Sequence, residues 1–221
     1  MTLSIREQSE QLKTQLDAAA AGRFPELMEL FDRSLQNFRD QGVPADSIKV
    51  GEFLEQFTLQ DALGTPLSLS DIVESGPAVI VFYRGGWCPY CNLALRTYQL
   101  ELLPVLDTLG ARLIAVSPQL PNESLTTAES AGLSFTVLSD PGSRLADRMG
   151  IAFDQTDEIL EAQRGLGLDL TKVNAEGAVR LPRPTVLIVD QNRMVRFVDI
   201  RPDYTARTEV IDIIQALSEI T

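Results

Sequence analysis

Cys88 and Cys91 are the only cysteines in a chain of 221 residues, and they stand three positions apart in Trp87-Cys88-Pro89-Tyr90-Cys91. The thiolate is the attacking form of cysteine, and an unperturbed thiol ionises near pH ~8.5, so useful chemistry requires a lowered pKa. A helix start supplies it through unpaired backbone N–H groups and the positive end of the helix dipole. With a helix beginning at Pro89, Cys88 lies at its first turn and Cys91 one turn further in. Either sulfur can then attack a mixed disulfide on the other, and the bond opens and closes without unfolding the helix. The nearby Arg84 adds positive charge if its side chain folds back. A second stretch with chemical potential is Arg183-Pro184-Thr185, where a proline starts a strand. A cis bond at Pro184 would present the Arg183 backbone to a substrate.

Composition narrows the alternatives. The chain has no histidine, so the commonest general base and metal ligand is missing. Two cysteines do not complete a zinc site alone, and neither a metal nor a cofactor is expected. In a reducing compartment two close cysteines suggest catalysis more than a structural staple. The net charge of −12, from 31 acidic and 19 basic residues, argues against nucleic acid and anionic membrane surfaces as partners. No apolar run reaches the roughly 18–20 residues of a membrane span. The segment Met1-Thr2-Leu3-Ser4-Ile5-Arg6-Glu7 soon turns polar, unlike a signal peptide. These features predict a cytoplasmic protein.

The dithiol needs a scaffold, and the flanking sequence provides one. Ala78-Val79-Ile80-Val81-Phe82-Tyr83 is a short apolar run that reads as a buried strand. Gly85-Gly86 makes the turn, and Pro89 suits a first helical turn. The helix is expected to run to about Leu109 with a kink or break near Leu103, because Pro104 lies inside it. Further strands are predicted at Phe57–Gln60, Pro66–Leu69, Arg112–Ser117, Phe135–Leu138, Thr185–Val189 and Val195–Ile200, the last two joined by a hairpin turn at Asp190–Arg193. Ser70-Asp71 reads as the cap of a short helix. Other helices are expected from Asn122-Glu123-Ser124 to Gly132, from Asp140 to Gly150, over Asp157–Gln163, and from Thr208 to about Ile220. Arg164–Arg180 reads as a loop-rich insert. Residues 1–45 form a helical hairpin, with Pro25 opening its second helix and Gly42-Val43-Pro44 ending it. Residues 46–221 form the main domain. Strand–helix alternation followed by a late hairpin predicts an α/β fold with a mixed central sheet flanked by helices.

Val81-Phe82-Tyr83-Arg84-Gly85-Gly86-Trp87-Cys88-Pro89-Tyr90-Cys91 resembles the active-site turn of thioredoxin-fold proteins, and Trp-Cys-Pro-Tyr-Cys is similar to the glutaredoxin motif. Pro184-Thr185 looks like the cis-proline element of thioredoxins. The wider layout, through Phe57-Thr58-Leu59, Phe82-Tyr83, Ile114–Ser117, Phe135–Asp140 and Leu187–Asp190, resembles the peroxiredoxins of the alkyl hydroperoxide reductase/thiol-specific antioxidant family, especially the bacterioferritin-comigratory type. The resemblance covers roughly residues 48–218. Two departures stand out. Arg84 replaces the proline that follows the Phe-Tyr pair in peroxiredoxins, and Cys88 stands where they carry a threonine. In the peroxiredoxin register Cys91 is therefore the peroxidatic cysteine, whereas in the thioredoxin and glutaredoxin register Cys88 attacks and Cys91 resolves.

The resemblance implies a thioredoxin-like fold and a thiol-dependent peroxidase that reduces hydrogen peroxide or organic hydroperoxides through the Cys88/Cys91 pair. It implies recycling by thioredoxin, or by glutathione with glutaredoxin. Arg183 or Arg84 would lower the thiolate pKa and polarise the peroxide, while Trp87, Pro184 and Thr185 would line the substrate site. It also implies a cis bond at Pro184. A protein-disulfide oxidoreductase without a peroxide step and a non-catalytic interaction protein pairing through residues 1–42 are the competing readings. Homodimer formation is left open.

Overall fold

The computed structural model describes residues 3–20, 22–120, 122, 123 and 132–220. Its centre is a seven-stranded mixed sheet in the order β2-β1-β5-β4-β3-β8-β9. These strands are β1 (Thr58–Asp61), β2 (Pro66–Ser68), β3 (Ala78–Phe82), β4 (Arg112–Ser117), β5 (Thr136–Ser139), β8 (Thr185–Val189) and β9 (Val195–Ile200). β3 pairs in parallel with β4 and antiparallel with β8, and β4 pairs in parallel with β5. Every residue of β3 is buried, which explains its unbroken Val/Ile/Phe composition: a strand covered on both faces has no polar side to show. Successive side chains point to opposite faces. Val79 and Val81 therefore join one core with Cys91, Leu95 and Tyr98, while Ile80 and Phe82 join the other with Leu69, Ile72 and Met149.

The dithiol lies on the first of these faces. Helix α4 (Pro89–Thr97) begins with Pro89 in its first turn and Cys88 as its extended N-cap. The expected break is present, and it takes a specific form. One π turn, Tyr98–Leu102, separates α4 from α5 (Leu103–Leu109). Pro104 has no N–H to donate back along the helix, so the ladder must be rearranged just upstream of it. The turn buries Tyr98, whose hydroxyl donates to the Thr208 carbonyl at 2.7 Å.

Helices α1 (Ile5–Ala20) and α2 (Pro25–Gln41) form the expected hairpin, docked on the sheet-bearing part of the same chain. Ile5 is buried in the core that holds the thiols. The Glu209 carboxylate accepts from the backbone N–H groups of Ile5 and Arg6, both at 2.9 Å, satisfying donors that a helix start leaves open.

Three local expectations change. The short helix α3 (Leu69–Val73) is capped by Ser68 rather than Ser70, in a reciprocal pair with Asp71. The helix expected from Asn122 falls mainly on residues 124–131, outside the described residues. The segment read as a loop-rich insert is largely ordered. After α6 (Arg144–Arg148) and β6 (Ala152–Phe153) come α7 (Asp157–Gly165), α8 (Leu170–Val173) and β7 (Leu181–Pro182). β6 and β7 make a two-stranded ribbon, and Phe153, Leu160, Leu170 and Leu181 bury a small core of their own. Thr156 caps α7, the helix expected over Asp157–Gln163; Asp169 caps α8, whose four residues are too few for periodicity to reveal. The last helix, α9 (Val210–Ser218), closes the site face of the sheet with Ile213 and Leu217. No described helix is long and apolar enough to cross a membrane.

Candidate active site

The turn between β3 and α4 is held rigidly. The Gly86 N–H donates to the Gln119 side chain at 2.7 Å, and Asn92 donates back to the Gly86 carbonyl at 2.6 Å. Gly85 has φ +149, and a Cβ there would lie 2.3 Å from the Trp87 indole nitrogen. The indole therefore packs where only glycine leaves room.

Both cysteines are free and buried, Cys88 at 1% and Cys91 at 0% exposure. Their surroundings differ. Cys88 lines a groove of about 460 Å³ together with Arg84, Trp87 and Pro89. Cys91 lines a narrow space of about 10 Å³ with Tyr83, Pro184, Thr185 and Arg207. The second is too small for more than about one water molecule.

Two arginines serve the pair. Arg207, itself buried, donates from Nη2 to Cys91 Sγ at 3.0 Å and lies 4.0 Å from Cys88 Sγ. Its Nη1 is fixed by the Tyr204 and Ala206 carbonyls at 2.7 and 2.6 Å. Arg84 is held differently. Its guanidinium lies 4.9 Å from the centroid of the Trp87 ring and 4.4 Å from that of Tyr204. Aromatic faces attract a cation without consuming its N–H donors. Among the described residues no carboxylate pairs with Arg84, and its buried Nε has no acceptor. Phe38 of α2 packs edge-on to both Tyr204 and Phe153, so the hairpin braces the ring that holds Arg84.

The ionisation of the pair follows. The Cys91 thiol donates to Cys88, and this hydrogen bond is the largest influence holding the Cys88 pKa well below the ordinary thiol value. Burial opposes it, while the charges of Arg84 and Arg207 and the Cys91 backbone N–H reinforce it. Cys91 is held well above the ordinary value, first by burial, then by the same hydrogen bond and the negative charge on Cys88. Distance to Arg207 alone would ionise Cys91 instead. The hydrogen bond from Cys91 and the two arginine charges outweigh that single contact, so Cys88 is the more acidic of the two thiols.

The expected site residues therefore divide. Cys88, Cys91, Arg84 and Trp87 come together, and Pro184 and Thr185 line the narrow space at Cys91. Thr185 spends its hydroxyl proton on the Arg183 carbonyl at 3.0 Å, so it does not donate to a thiolate. Arg183 points elsewhere: Nη1 donates to the Ala152 carbonyl at 3.1 Å and the guanidinium lies 5.5 Å from the Phe153 ring centroid. It is absent from the surroundings of both thiols, and Arg207 stands in the place expected of it. Pro184 is trans, as is every peptide bond among the described residues. This corrects the expected cis bond. Arg201, the other arginine near this strand, is engaged by Asp199 at 2.6 Å. No local spacing ties Arg207 to the cysteines; only the docking of the β9–α9 connection against α4 reveals it. No cluster of metal-ligating side chains occurs among the described residues.

Comparison with known proteins agrees with this geometry. The family model described as the AhpC/TSA family matches residues 50–198. A Haemophilus influenzae protein named as a peroxiredoxin, bcp, is 32% identical over 107 residues, which is 47% of this chain and 66% of that protein. The chloroplastic peroxiredoxin Q of Populus jackii is 28% identical over 107 residues, 48% of this chain and 49% of its own. The matched region thus spans just under two thirds of the first relative and half of the second. Among solved structures, the peroxidoxin BcpB of Mycobacterium tuberculosis superposes with a TM-score of 0.62 at 20% identity, covering 79% of this chain and 99% of its own. A peroxiredoxin-like protein of Aquifex aeolicus gives 0.63 at 17% identity, covering 81% and 91%. These superpositions establish a thioredoxin-like α/β fold of the peroxiredoxin type.

Proposed function

The chain belongs to the AhpC/TSA family, and from that premise we propose that it is a thiol-dependent peroxidase in which Cys88 attacks the peroxide and Cys91 resolves. The observation that carries the assignment is access. Cys88 lines a groove of about 460 Å³, whereas Cys91 faces a narrow space of only about 10 Å³.

The reaction runs in three steps. The Cys88 thiolate attacks the terminal oxygen of R–O–O–H, the O–O bond breaks, and the leaving alkoxide takes a proton to become the alcohol or, for hydrogen peroxide, water. Arg84 lines the same groove with its donors uncommitted, and it supports the charge that develops on the leaving oxygen. Cys88 is then a neutral sulfenic acid. That change acts on Cys91: burial still raises its pKa, but the anion that added to the rise is gone, and Arg207 at 3.0 Å favours its ionisation. The Cys91 thiolate attacks the Cys88 sulfur, the S–S bond forms and hydroxide leaves as water. Finally an external thiol reductant, thioredoxin through its dithiol or two glutathione molecules by way of glutaredoxin, reduces the disulfide and is itself oxidised to a disulfide. The substrate site is made by Trp87 and Arg84, with Pro184 and Thr185 behind Cys91. A cytoplasmic setting fits the reducing conditions that the free thiols require, and a homodimer is the assembly to look for.

The test is peroxide titration of the Cys88→Ser and Cys91→Ser variants, with mass spectrometry of the trapped sulfenic acid. The sulfenic acid should accumulate on Cys88 in Cys91→Ser and be absent from Cys88→Ser. Sulfenic acid on Cys91 in Cys88→Ser at the wild-type rate would reverse the roles. Absence of peroxide consumption above the double variant would leave disulfide exchange as the better reading.

A further inference from the structure

The groove in front of Cys88 is built mainly from segments outside the matched stretch 50–198. Leu16 of α1, Met28, Phe31 and Leu35 of α2, and Leu166 and Leu168 after α7 form its apolar wall; of these, the last two lie within that stretch. Two of these side chains are unusually open for their type, Leu16 at 39% and Leu166 at 51% exposure. They stand on the wall of one concave site, where exposed apolar surface acquires a meaning that scattered surface leucines lack. The size suits a small organic molecule, and it far exceeds what hydrogen peroxide fills.

Charge enters the lining in two places. Arg84, unpaired and held by two rings, shares the groove with Cys88. Lys13, also in the lining, is bracketed by two carboxylates, Asp17 at 2.7 Å and Asp32 at 3.5 Å. These three carry one net negative charge and leave no free cation among them. The groove thus combines an apolar wall, an acidic cluster whose one cation is already paired, and a donor-bearing cation in company with the sulfur.

We propose that this groove selects hydroperoxides with a bulky, uncharged apolar body, and that the N-terminal hairpin together with the turn after α7 is the specificity determinant. The hydroperoxide group points to Cys88 and Arg84, and the body lies against Leu16, Phe31 and Leu166. A substrate carboxylate would share the groove with Asp17 and Asp32, whose one cation, Lys13, is already paired, so hydroperoxides of free fatty acids are disfavoured against their neutral esters. The proposal rests on the peroxidase reading. The step at sulfur is unchanged: the terminal oxygen and its hydrogen go to Cys88, the O–O bond breaks, and the apolar body leaves as its alcohol.

The experiment measures kcat/KM of the reduced full chain, recycled by dithiothreitol, for hydrogen peroxide, cumene hydroperoxide, linoleic acid hydroperoxide and the methyl ester of the last. Cumene hydroperoxide should exceed hydrogen peroxide by at least about ten-fold, the scale that a few apolar contacts supply. The ester should exceed the free acid. In the Leu16→Ser, Leu166→Ser double variant, whose sites are exposed enough to leave folding intact, the ratio of cumene hydroperoxide to hydrogen peroxide should fall about ten-fold. In Asp17→Asn, Asp32→Asn the gap between ester and acid should narrow. Equal or better use of hydrogen peroxide by the wild type, or a ratio indifferent to the leucine changes, overturns the specificity proposal while leaving the peroxidase reading standing. Failure to consume any of the four overturns both.

Discussion

Removing the charge of Arg207 separates the two chemical steps. The guanidinium lies 3.0 Å from Cys91 Sγ and 4.0 Å from Cys88 Sγ. With an effective dielectric of about 20, a unit charge pair is worth about 5.5 kcal/mol at the first distance and about 4 kcal/mol at the second. Water entering the space left by Arg207→Gln screens part of both, so a realised loss of about 2 kcal/mol at Cys91 is the reasonable scale, or about 30-fold in thiolate population. Screened in the same proportion, the loss at Cys88 is about 1.5 kcal/mol, or about 12-fold. Cys88 also keeps Arg84 and the hydrogen bond from Cys91. Disulfide formation should therefore slow about 30-fold and sulfenic acid formation by no more than about ten-fold, so that sulfenic acid accumulates. The chain has a single tryptophan, and it is Trp87 beside the attacking thiol. Stopped-flow fluorescence after mixing with peroxide resolves both phases in one trace, with dimedone trapping to assign them. Because the readout is a ratio of two steps in one protein, a general loss of stability cannot imitate it. If the first phase slows as much as the second, Arg207 serves the attacking thiol and the assignment of Cys88 and Cys91 is wrong.

The remaining predictions concern the pH response and the scaffold. Alkylation of Cys88 by iodoacetamide should rise at a pH below the ordinary thiol range of about 8.5, because its folded pKa is lowered; in Cys91→Ala, which deletes the donor that lowers it most, the rise should move to higher pH. Peptide mapping of the labelled protein against pH reads this directly. Gly85→Ala places a Cβ 2.3 Å from the Trp87 indole nitrogen, so thermal denaturation should show a loss of about 1–3 kcal/mol together with altered Trp87 fluorescence; an unchanged melting temperature would mean that the turn is not constrained as described. Asp140 caps α6, accepting from the N–H groups of Leu145 and Ala146 at 2.9 and 3.0 Å, and Asp140→Ala should cost about 1–2 kcal/mol. Burial raises the Asp140 pKa, so its titration favours the folded state most while protonated, below the ordinary carboxylate range, and that contribution fades as pH rises through the raised value. Denaturant midpoints measured from acid to neutral pH should show this decline in the wild type and lack it in Asp140→Asn.

Much of the fold can be read in the residues because its signals are local. The apolar run of β3, the glycines after it, and Pro89 in the first turn of α4 place the dithiol on a strand-to-helix turn without any long-range information. Pro25 and Gly42 mark the ends of α2, and Pro104 announces a break whose π geometry depends on what Tyr98 reaches across the core. The features that escaped depend on distant chain segments. Arg207 sits in an irregular connection with no periodicity, and it meets Cys91 only because that connection folds over the start of α4. Arg183 looks equally suitable in sequence, one residue before Pro184, yet at the start of β8 its side chain runs to the β6–β7 ribbon. The trans state of Pro184 and the four-residue helix α8 belong to the same category, since neither leaves a pattern in composition or spacing.

The two cysteine registers conflict only while access and charge are assumed to favour one thiol. Here they are divided. The arginine contact at 3.0 Å belongs to Cys91, the position that corresponds to the attacking cysteine in the peroxiredoxin register. The groove belongs to Cys88, the attacking position in the thioredoxin register. A dithiol can use this division in time: the open thiol reacts first, and its oxidation removes a charge that had added to the effect of burial in raising the pKa of the arginine-bound thiol. The hairpin of α1 and α2 has a part in that order. Its leucines and Phe31 turn the surface in front of Cys88 into a concave site, while nothing in the hairpin widens the space at Cys91. In the proposed assignment, a segment outside the matched family stretch therefore governs which of the two thiols meets the substrate.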